Sequence, residues 1–391
     1  MNLPENAHQA GLLRLLRDGG RSRAELAGLT GLARSKVATE VARLVDLEIV
    51  LEDGLADSRG GRRSTMVRLN PQLRFVGIDV GVTSVTVAVT DGELTIKALS
   101  EAENPVEVGP RPTLQLVRDL LGKLRAEGHF EDIAGIGIGV PGPVSFRDGV
   151  PVSPPLMPGW DGFPLRERLQ TEYGCAVVVD NDVNIMVLGE RAVGMAKSAD
   201  NVLFVKIGTG IGCGIVVHGE VYRGTNGSAG DIGHIAVDAE TVLCRCGNTG
   251  CLEACFGGAA LARAAMTAAR NGTSQWLADR LAEAGTLSAV DVGAAALAGD
   301  PTATALIREG GRTVGRTLAS LTNFFNPSLI VIGGGVAGLG HQLLAEIRAV
   351  VYRRSLPLAT GSLPIVLSEL GSAAGVLGAV AMAFEHTLGS P

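Results

Sequence analysis

The sequence predicts a chain of two parts, a small all-α head that carries a β-hairpin and a larger α/β body. Three observations favour this division. Apolar residues recur at helical spacing in three segments of the first 70 residues, and the remainder contains a strand–turn–strand pattern twice, once in each half. The first 70 residues hold 11 Lys and Arg against 9 Asp and Glu, whereas the whole chain has a net charge of −6. A slightly basic head on an acidic body is typical of a nucleic-acid-binding module joined to a larger domain.

The composition excludes several classes of protein. A chain of 391 residues with 46% hydrophobic content can bury the cores of two or three domains, and this content is too high for a disordered protein. No run approaches the roughly 18 apolar residues of a membrane span, and the charged segment Met1 to Arg23 lacks the apolar stretch of a signal peptide. We therefore expect a cytoplasmic protein whose six cysteines are thiols or metal ligands rather than disulfides.

The head contains three predicted helices. The first runs from Asn6 to Arg17, and the second is capped by Ser22, with Glu25 at the capping-box spacing. After a turn at Thr30 and Gly31, the third runs from Leu32 to about Leu47. This order predicts a helix-turn-helix, and the exposed face of its third helix carries side chains suited to phosphates and base edges, namely Arg34, Ser35, Lys36 and Thr39.

A hairpin wing follows the third helix. Ile49 to Leu51 and Met66 to Leu69 read as its strands, and Asp53 to Arg63 as its loop. Arginines at such a tip can enter the narrow minor groove of DNA, and the candidates are Arg59, Arg62 and Arg63. Residues 1–70 are thus predicted to form a winged helix-turn-helix that binds double-stranded DNA; the alternative is a helical dimerisation module with a solvated charged loop.

The strand–turn–strand pattern of the body places small residues at each bend. A buried strand from Phe75 leads through Gly81 to Thr83 into a second strand, and a strand from Phe204 leads through Gly208 to Gly212 into another. A third glycine-rich turn, Gly333 to Gly335, follows the apolar run Ser328 to Ile332. Neither hairpin ends in Gly-Lys-Ser/Thr or opens a helix, which excludes Walker and dinucleotide loops. All three turns are either structural turns or phosphate-binding loops. The candidate phosphate-binding residues are Asp79, Gly81, Thr83, Gly208, Thr209, Gly210 and Gly334.

One cluster has the spacing of a metal site. His234 is followed by Cys244, Cys246 and Cys251 in a segment with glycines that let the thiolates converge. Three thiolates and one imidazole match a closed, structural Zn²⁺ site, and the alternative is a set of reduced, buried cysteines. Cys255 could compete as a ligand, whereas Cys175 and Cys213 lie in apolar segments and are expected in the core.

Together, these features resemble the ROK family (repressor, open reading frame, kinase), and in particular its xylose- and N-acetylglucosamine-type transcriptional repressors. The resemblance implies an actin-like ATPase, sugar-kinase-like fold of two α/β lobes with a ligand cleft between them. The first lobe would comprise residues 71–183 with the returning C-terminal helix 375–391, and the second residues 184–374 with the zinc loop. The long apolar helices Ala303 to Phe325 and Gly375 to Leu388 would supply lobe-packing and subunit surfaces.

The resemblance also implies a sugar site. It assigns sugar contacts to Asn181, Asp182, Asp231, Glu253 and the metal ligand His234, and in a kinase Asp182 would be the general base. From the residues alone, the Asn181-Asp182 pair could equally cap a helix before Ile185 to Val193. The stretch Gly139 to Gly142 and Trp160 are further candidates for lining the pocket, although a lone tryptophan is more often a packing residue.

Two positions depart from the kinases of the family. Asp231 stands where these kinases usually carry the longer Glu, a change that could alter the sugar contacts. Val82 stands where they usually carry glycine, and its branched side chain could crowd a phosphate or require a different backbone angle.

The sequence therefore favours a sugar-responsive, DNA-binding transcriptional regulator of carbohydrate metabolism that assembles as a homodimer or homotetramer on an operator and has no membrane partner. One alternative is an ATP-dependent, glucokinase-like sugar kinase with an appended head, which would use ATP and Mg²⁺. Another is a zinc-sensing regulator, whose DNA binding would follow free zinc while the protein stays folded.

Overall fold

The computed structural model describes residues 4, 6–55, 65–155, 157–237 and 242–389. The chain divides into two compact units, Met1–Ile185 with Gly375–Pro391 and Met186–Ala374. The arginines predicted at the wing tip, Arg59, Arg62 and Arg63, lie outside the described residues. Among the described helices, none combines the length and apolar character that a membrane crossing requires.

The head is a three-helix module completed by a small sheet. Asn6 caps the first helix by accepting hydrogen bonds from the backbone N–H groups of His8 and Gln9, and Ser22 and Glu25 form the predicted capping box of the second. The third helix is two residues shorter at its start than predicted. The elements are α1 (Ala7–Arg17), β1 (Arg21–Ser22), α2 (Arg23–Thr30), α3 (Arg34–Asp46), β2 (Val50–Leu55) and β3 (Thr65–Leu69), with the strands in the order β1-β3-β2.

The first unit also contains a five-stranded sheet in the order β10-β7-β4-β5-β6. Within it, β5 is antiparallel to its neighbours β4 and β6, whereas β4, β7 and β10 run parallel to one another. Their fully buried apolar residues pack against α4 and α5, which is why the strands read as continuous apolar runs. The elements are β4 (Phe75–Val80), β5 (Ser84–Thr90), β6 (Ile96–Glu103), α4 (Pro110–Ala126), β7 (Gly135–Val140), the short pair β8 (Val144–Ser145) and β9 (Val150–Pro151), α5 (Leu165–Tyr173) and β10 (Ala176–Asn181).

The second unit repeats this sheet topology in the order β13-β12-β11-β14-β15. An antiparallel hairpin and short third strand are again followed by two strands parallel to the first. The repeat predicted from two hairpins thus extends to whole sheets. The elements are β11 (Val202–Ile207), β12 (Ile211–Val217), β13 (Glu220–Val221), α7 (Leu252–Cys255), α8 (Gly258–Arg270), α9 (Gln275–Ala284), α10 (Ala289–Leu297), α11 (Pro301–Phe325), β14 (Leu329–Gly333), α12 (His341–Arg354), α13 (Pro357–Thr360) and β15 (Ile365–Leu367).

Two further helices, α6 (Asp182–Val193) and α14 (Ala373–Thr387), contain the points at which the chain passes between the units. From Gly375 onward, α14 belongs to the first unit and packs directly on its sheet. A Cβ atom on Gly77 of β4 would overlap the carbonyl of Val376, and one on Gly137 of β7 would overlap the carbonyl of Ala379. The glycines of these strands therefore let the backbone of the last helix lie against the sheet.

Candidate functional site

The predicted metal ligands come from three short segments of the second unit. His234 ends a single helical turn, Ile232–His234, and Cys251 stands immediately before α7. Cys244 and Cys246 lie in a tight turn in which the Cys244 N–H donates to the carbonyl of Asn248. The glycines Gly247 and Gly250 have φ values of 93° and 73°, a left-handed conformation that explains why the loop uses glycine there.

The four side chains converge as a metal site requires. One ligand atom from each of His234, Cys244, Cys246 and Cys251 lies within 4.8 Å of all the others, and Cys255 is outside this group. The Cys246 and Cys251 sulfurs are 3.7 Å apart, as are the Cys244 sulfur and the Nδ1 atom of His234. Tetrahedral Zn²⁺ with Zn–S bonds of about 2.3 Å places its sulfur ligands about 3.8 Å apart. The residues therefore fit a closed Zn²⁺ site.

Acidic side chains adjoin this cluster. The Oε1 atom of Glu253 lies 3.5 Å from the Cys244 sulfur and 3.9 Å from the Nδ1 atom of His234. The carboxylate of Asp231 lies 3.8 Å from the Nε2 atom of His234 and is half-exposed. Burial raises the pKa of Cys244 and Cys251, whereas the backbone N–H of Asn248 lowers the pKa of Cys246. Burial, together with the like charge of Glu253, also raises the pKa of Asp231.

Glu253 also connects the cluster with the second glycine-rich turn. A Cβ atom on Gly210 would lie 2.5 Å from Oε2 of Glu253, and one on Gly233 would lie 3.2 Å from the same oxygen. The carboxylate therefore contacts the metal ligands through one oxygen and the turn Gly208 to Gly210 through the other. This contact was not predicted, because Gly210 and Glu253 are distant along the chain.

Asn181 and Asp182 occupy the junction at which β10 passes directly into α6. The Asn181 Oδ1 atom accepts a hydrogen bond of 2.8 Å from the backbone N–H of Val183, and its Nδ2 atom donates to the carbonyl of Gly142 at 2.8 Å. The alternative role of Asn181 as a helix cap is therefore observed, although α6 begins at Asp182 rather than Ile185. Asp182 is 5% exposed in the first turn of this helix.

Asp180, which precedes this pair, fixes the geometry of the junction. Its Oδ1 atom accepts from the backbone N–H of Asn181 at 2.7 Å and from the Nδ2 atom of Asn184 at 2.8 Å. Both Asp180 and Asn184 are buried. These bonds restrict the orientation of Asn181 while one N–H of its amide can still donate to a ligand.

The two predicted hairpin turns connect antiparallel strands, β4 with β5 and β11 with β12. Val82 does not have a positive φ, and its side chain packs against the core of the first unit. The expectation that Val82 crowds a phosphate or requires a backbone angle different from that of glycine stays a prediction. In the second unit, the carbonyls of Gly208 and Thr209 accept hydrogen bonds from the N–H groups of Gly258 and Ala259 at the start of α8.

The predicted DNA-contact residues of α3 lie on one exposed face: Arg34, Ser35, Lys36 and Thr39. Lys36 is not free, because its Nζ atom lies 2.6 Å from the buried carboxylate of Glu40. That carboxylate also accepts from the Gln9 amide at 2.9 Å and thereby joins α1 to α3. The hydrogen bond from Lys36, supported by those from Gln9 and Asn6, outweighs burial and lowers the pKa of Glu40 to about 2.

One expectation from the sequence is wrong, and another holds only in part. Trp160 does not line a pocket; it is fully buried in the core of the first unit, where its indole N–H donates to the carbonyl of Val106. Cys175 precedes β10 and packs against the core of the first unit but is only partly buried, whereas Cys213 is buried in β12 as expected. Both differences arise because a short apolar segment does not show which way its side chains face.

Comparison with known proteins gives matches over nearly the whole chain. The sequence pattern of the ROK family matches residues 75–386. The xylose repressor of Bacillus spizizenii is 30% identical over 382 residues, which cover 96% of this chain and 94% of the repressor. The glucokinase of Halalkalibacterium halodurans is 37% identical over 310 residues, covering 78% of this chain and 93% of the glucokinase.

A solved structure of a ROK family transcriptional regulator, a homologue of the Escherichia coli Mlc protein, has a TM-score of 0.83 with this chain. Its sequence is 26% identical, and the match covers 98% of this chain and 97% of the other. The fold class predicted from the sequence, a winged head on a sugar-kinase-like body, is confirmed.

Proposed function

The chain belongs to the ROK family, and from this premise we propose that it is a sugar-responsive transcriptional repressor of carbohydrate genes. The observation that carries the proposal is the winged helix-turn-helix in front of a kinase-like body. The alignment with the xylose repressor is 382 residues long and that with the glucokinase only 310, a difference close to the length of the head. A sugar kinase has no need of such a module.

The head supplies the proposed contact with operator DNA. The exposed residues of α3 would face the major groove, and the hairpin of β2 and β3 would place Arg59, Arg62 and Arg63 near the minor groove. Half-sites on DNA match the symmetry of the protein, so the regulator would bind as a homodimer or homotetramer. Such a protein acts in the cytoplasm, at the nucleoid when it is bound to DNA.

We assign the effector site to residues whose side chains can bind the hydroxyl groups of a sugar. In the first unit Asn181 retains a donor N–H and Asp182 a carboxylate, and in the second unit Asp231, His234 and Glu253 surround the metal cluster. Carboxylates and amides can accept from and donate to adjacent sugar hydroxyls. The sugar can alter DNA binding only through different affinities for two arrangements of the protein.

Zn²⁺ held by His234, Cys244, Cys246 and Cys251 would give structural rigidity rather than Lewis-acid chemistry, because the protein fills all four positions. The ligand loop would in turn orient His234, and with it the carboxylate of Glu253 that lies beside this imidazole. This arrangement explains why a regulator without catalysis would keep a metal loop beside its sugar contacts.

Isothermal titration of the zinc-loaded protein with a panel of pentoses, hexoses and amino sugars tests the effector. We expect saturable binding of at least one sugar without ATP, and loss of that binding in Asp182→Asn with an unchanged melting temperature. The same sugar should change the affinity for a genomic operator fragment. Sugar binding without any effect on DNA binding would contradict the proposal.

An ATP-dependent sugar kinase is the second candidate, because the glucokinase relative is 37% identical and the turn Gly208 to Gly210 is intact. In that case Asp182 would accept the proton of the attacking sugar hydroxyl. A coupled assay with ATP and Mg²⁺ distinguishes the two: sustained turnover that Asp182→Asn abolishes, while DNA binding persists, would establish the kinase.

A further inference from the structure

The head contains a cavity of about 400 Å³ beside the exposed face of α3. It is lined by Arg23, Ala24, Arg34, Glu52 and Thr65. The sheet register explains how these residues meet: Ser22 pairs with Met66, and Glu52 pairs with Val67 from the other side of β3. Arg23 therefore leaves the end of β1 toward the start of β3, next to Glu52.

The cavity is predominantly basic. The guanidinium of Arg23 forms an ion pair of 2.7 Å with Glu52, and both side chains are partly exposed. Among the described lining residues, one carboxylate faces two arginines, which leaves one positive charge unbalanced in this set. In addition, the Nε atom of Arg23 is buried and has no hydrogen-bond partner among the described residues. A ligand cannot reach that atom, but the Arg23 side chain is 40% exposed, so its other N–H groups can donate to a ligand with several acceptor oxygens.

The start of α3 adds further donors. Arg34 is its first residue, and Ala33 at the cap position provides no side-chain acceptor for the N–H groups of the first turn. The positive end of the helix dipole therefore adds to the charge of Arg23 and Arg34. Anions with tetrahedral oxygens suit this combination of guanidinium and backbone N–H donors.

We propose that this cavity binds a backbone phosphate of DNA through Arg23 and Arg34, and that Glu52 competes with the phosphate for Arg23. The inference rests on the proposed function, because the cavity lies between α3 and the hairpin, the two elements assigned to DNA. A phosphate at this place would fix the register of α3 on the duplex without reading sequence. The sequence analysis did not predict Arg23 as a DNA-contact residue, because Arg23 lies at the start of α2 rather than on α3.

The test is fluorescence anisotropy with a mixed-sequence duplex over a series of salt concentrations. Arg23→Ala should weaken binding about tenfold at fixed salt, as expected for a lost charge-assisted hydrogen bond. It should also reduce the slope of log affinity against log salt by about 0.9, the value for one phosphate contact. Glu52→Gln should instead strengthen binding, since it removes the competing carboxylate.

Arg308→Ala serves as the control, because it removes one positive charge from an exposed ion pair of the second unit. This variant should leave the affinity and the salt slope unchanged. If the folded Arg23→Ala variant bound the duplex with the affinity and the salt slope of the wild-type protein, the cavity assignment would be overturned while the DNA-binding function stayed intact. If Glu52→Gln bound the duplex no more tightly than the wild-type protein, the role of Glu52 as a competitor of the phosphate would be overturned. If the wild-type protein bound no duplex at any salt concentration, the proposed function itself would fall, and this inference with it.

Discussion

Arg14 and Glu385 form an ion pair in which Nε and Oε2 are 2.8 Å apart, and this pair joins α1 of the head to α14. Arg17 adds a second contact to Glu385 at 3.2 Å, and its guanidinium lies 5.7 Å from the centre of the Phe384 ring. Because α14 also packs on β4 and β7, these contacts connect the head to the sheet of the first unit.

We expect Glu385→Gln to loosen α1 without unfolding the protein. The side chains of Arg14 and Glu385 are partly exposed, so the loss of stability should stay within about 1 kcal/mol. Hydrogen exchange of the peptide that covers α1 should nevertheless become faster. Glu346→Gln is a matched control, since Glu346 also pairs with two arginines, Arg308 and Arg312, but in the second unit. Unchanged exchange in α1 would show that the head is held by other contacts.

Glu40 should control the acid stability of the head. Its pKa is lowered to about 2, from an ordinary value of 4.5, chiefly by the hydrogen bond from Lys36. A lowered pKa stabilises the folded state at neutral pH, and this contribution is lost as the pH falls from about 4.5 towards 2. Glu40→Gln should reduce the stability at neutral pH by about 1–3 kcal/mol, because it removes hydrogen bonds to a charged group.

Urea unfolding at neutral and acid pH measures this effect. The difference between wild type and Glu40→Gln should shrink in acid, where the wild-type carboxylate becomes protonated. Glu48→Gln, at an exposed position just beyond α3, is the control for the loss of one charge. A constant difference across the pH range would refute the assignment to the carboxylate.

Residue patterns alone predicted the features that depend on local spacing. The three helices, the two glycine-rich hairpins and the Cys/His set follow from periodicity and from ligand spacing, which are local properties. The contacts of Glu40 with Gln9 and of Glu253 with Gly210 could not be predicted, because they join segments far apart in the chain. The two-residue strand β1 was also missed, since a segment this short has no period to detect.

The packing of α14 on the sheet predicts a strong effect at Gly137. A methyl group there would overlap the carbonyl of Ala379, so Gly137→Ala should destabilise the protein by about 1–3 kcal/mol or more. Gly122 lies in α4 with nothing within 4 Å of its Cβ position. The same substitution there should stabilise by about 0.5–1 kcal/mol, because alanine favours the helix. Urea unfolding of both variants gives the comparison, and equal effects would argue against close helix–sheet packing.

Removal of the metal should destabilise the second unit. We expect one Zn²⁺ per chain by elemental analysis, and a large reduction in Cys246→Ser, since Cys246 is one of four converging ligands. Cys175→Ser removes a partly buried thiol outside this group and should retain the metal. A ligand that binds only the folded state at about a hundredfold excess over its dissociation constant stabilises by about 2.7 kcal/mol, so chelation should lower the melting temperature. If metal-free protein instead kept its melting temperature while DNA binding followed free zinc, the loop would be a zinc sensor rather than a structural site.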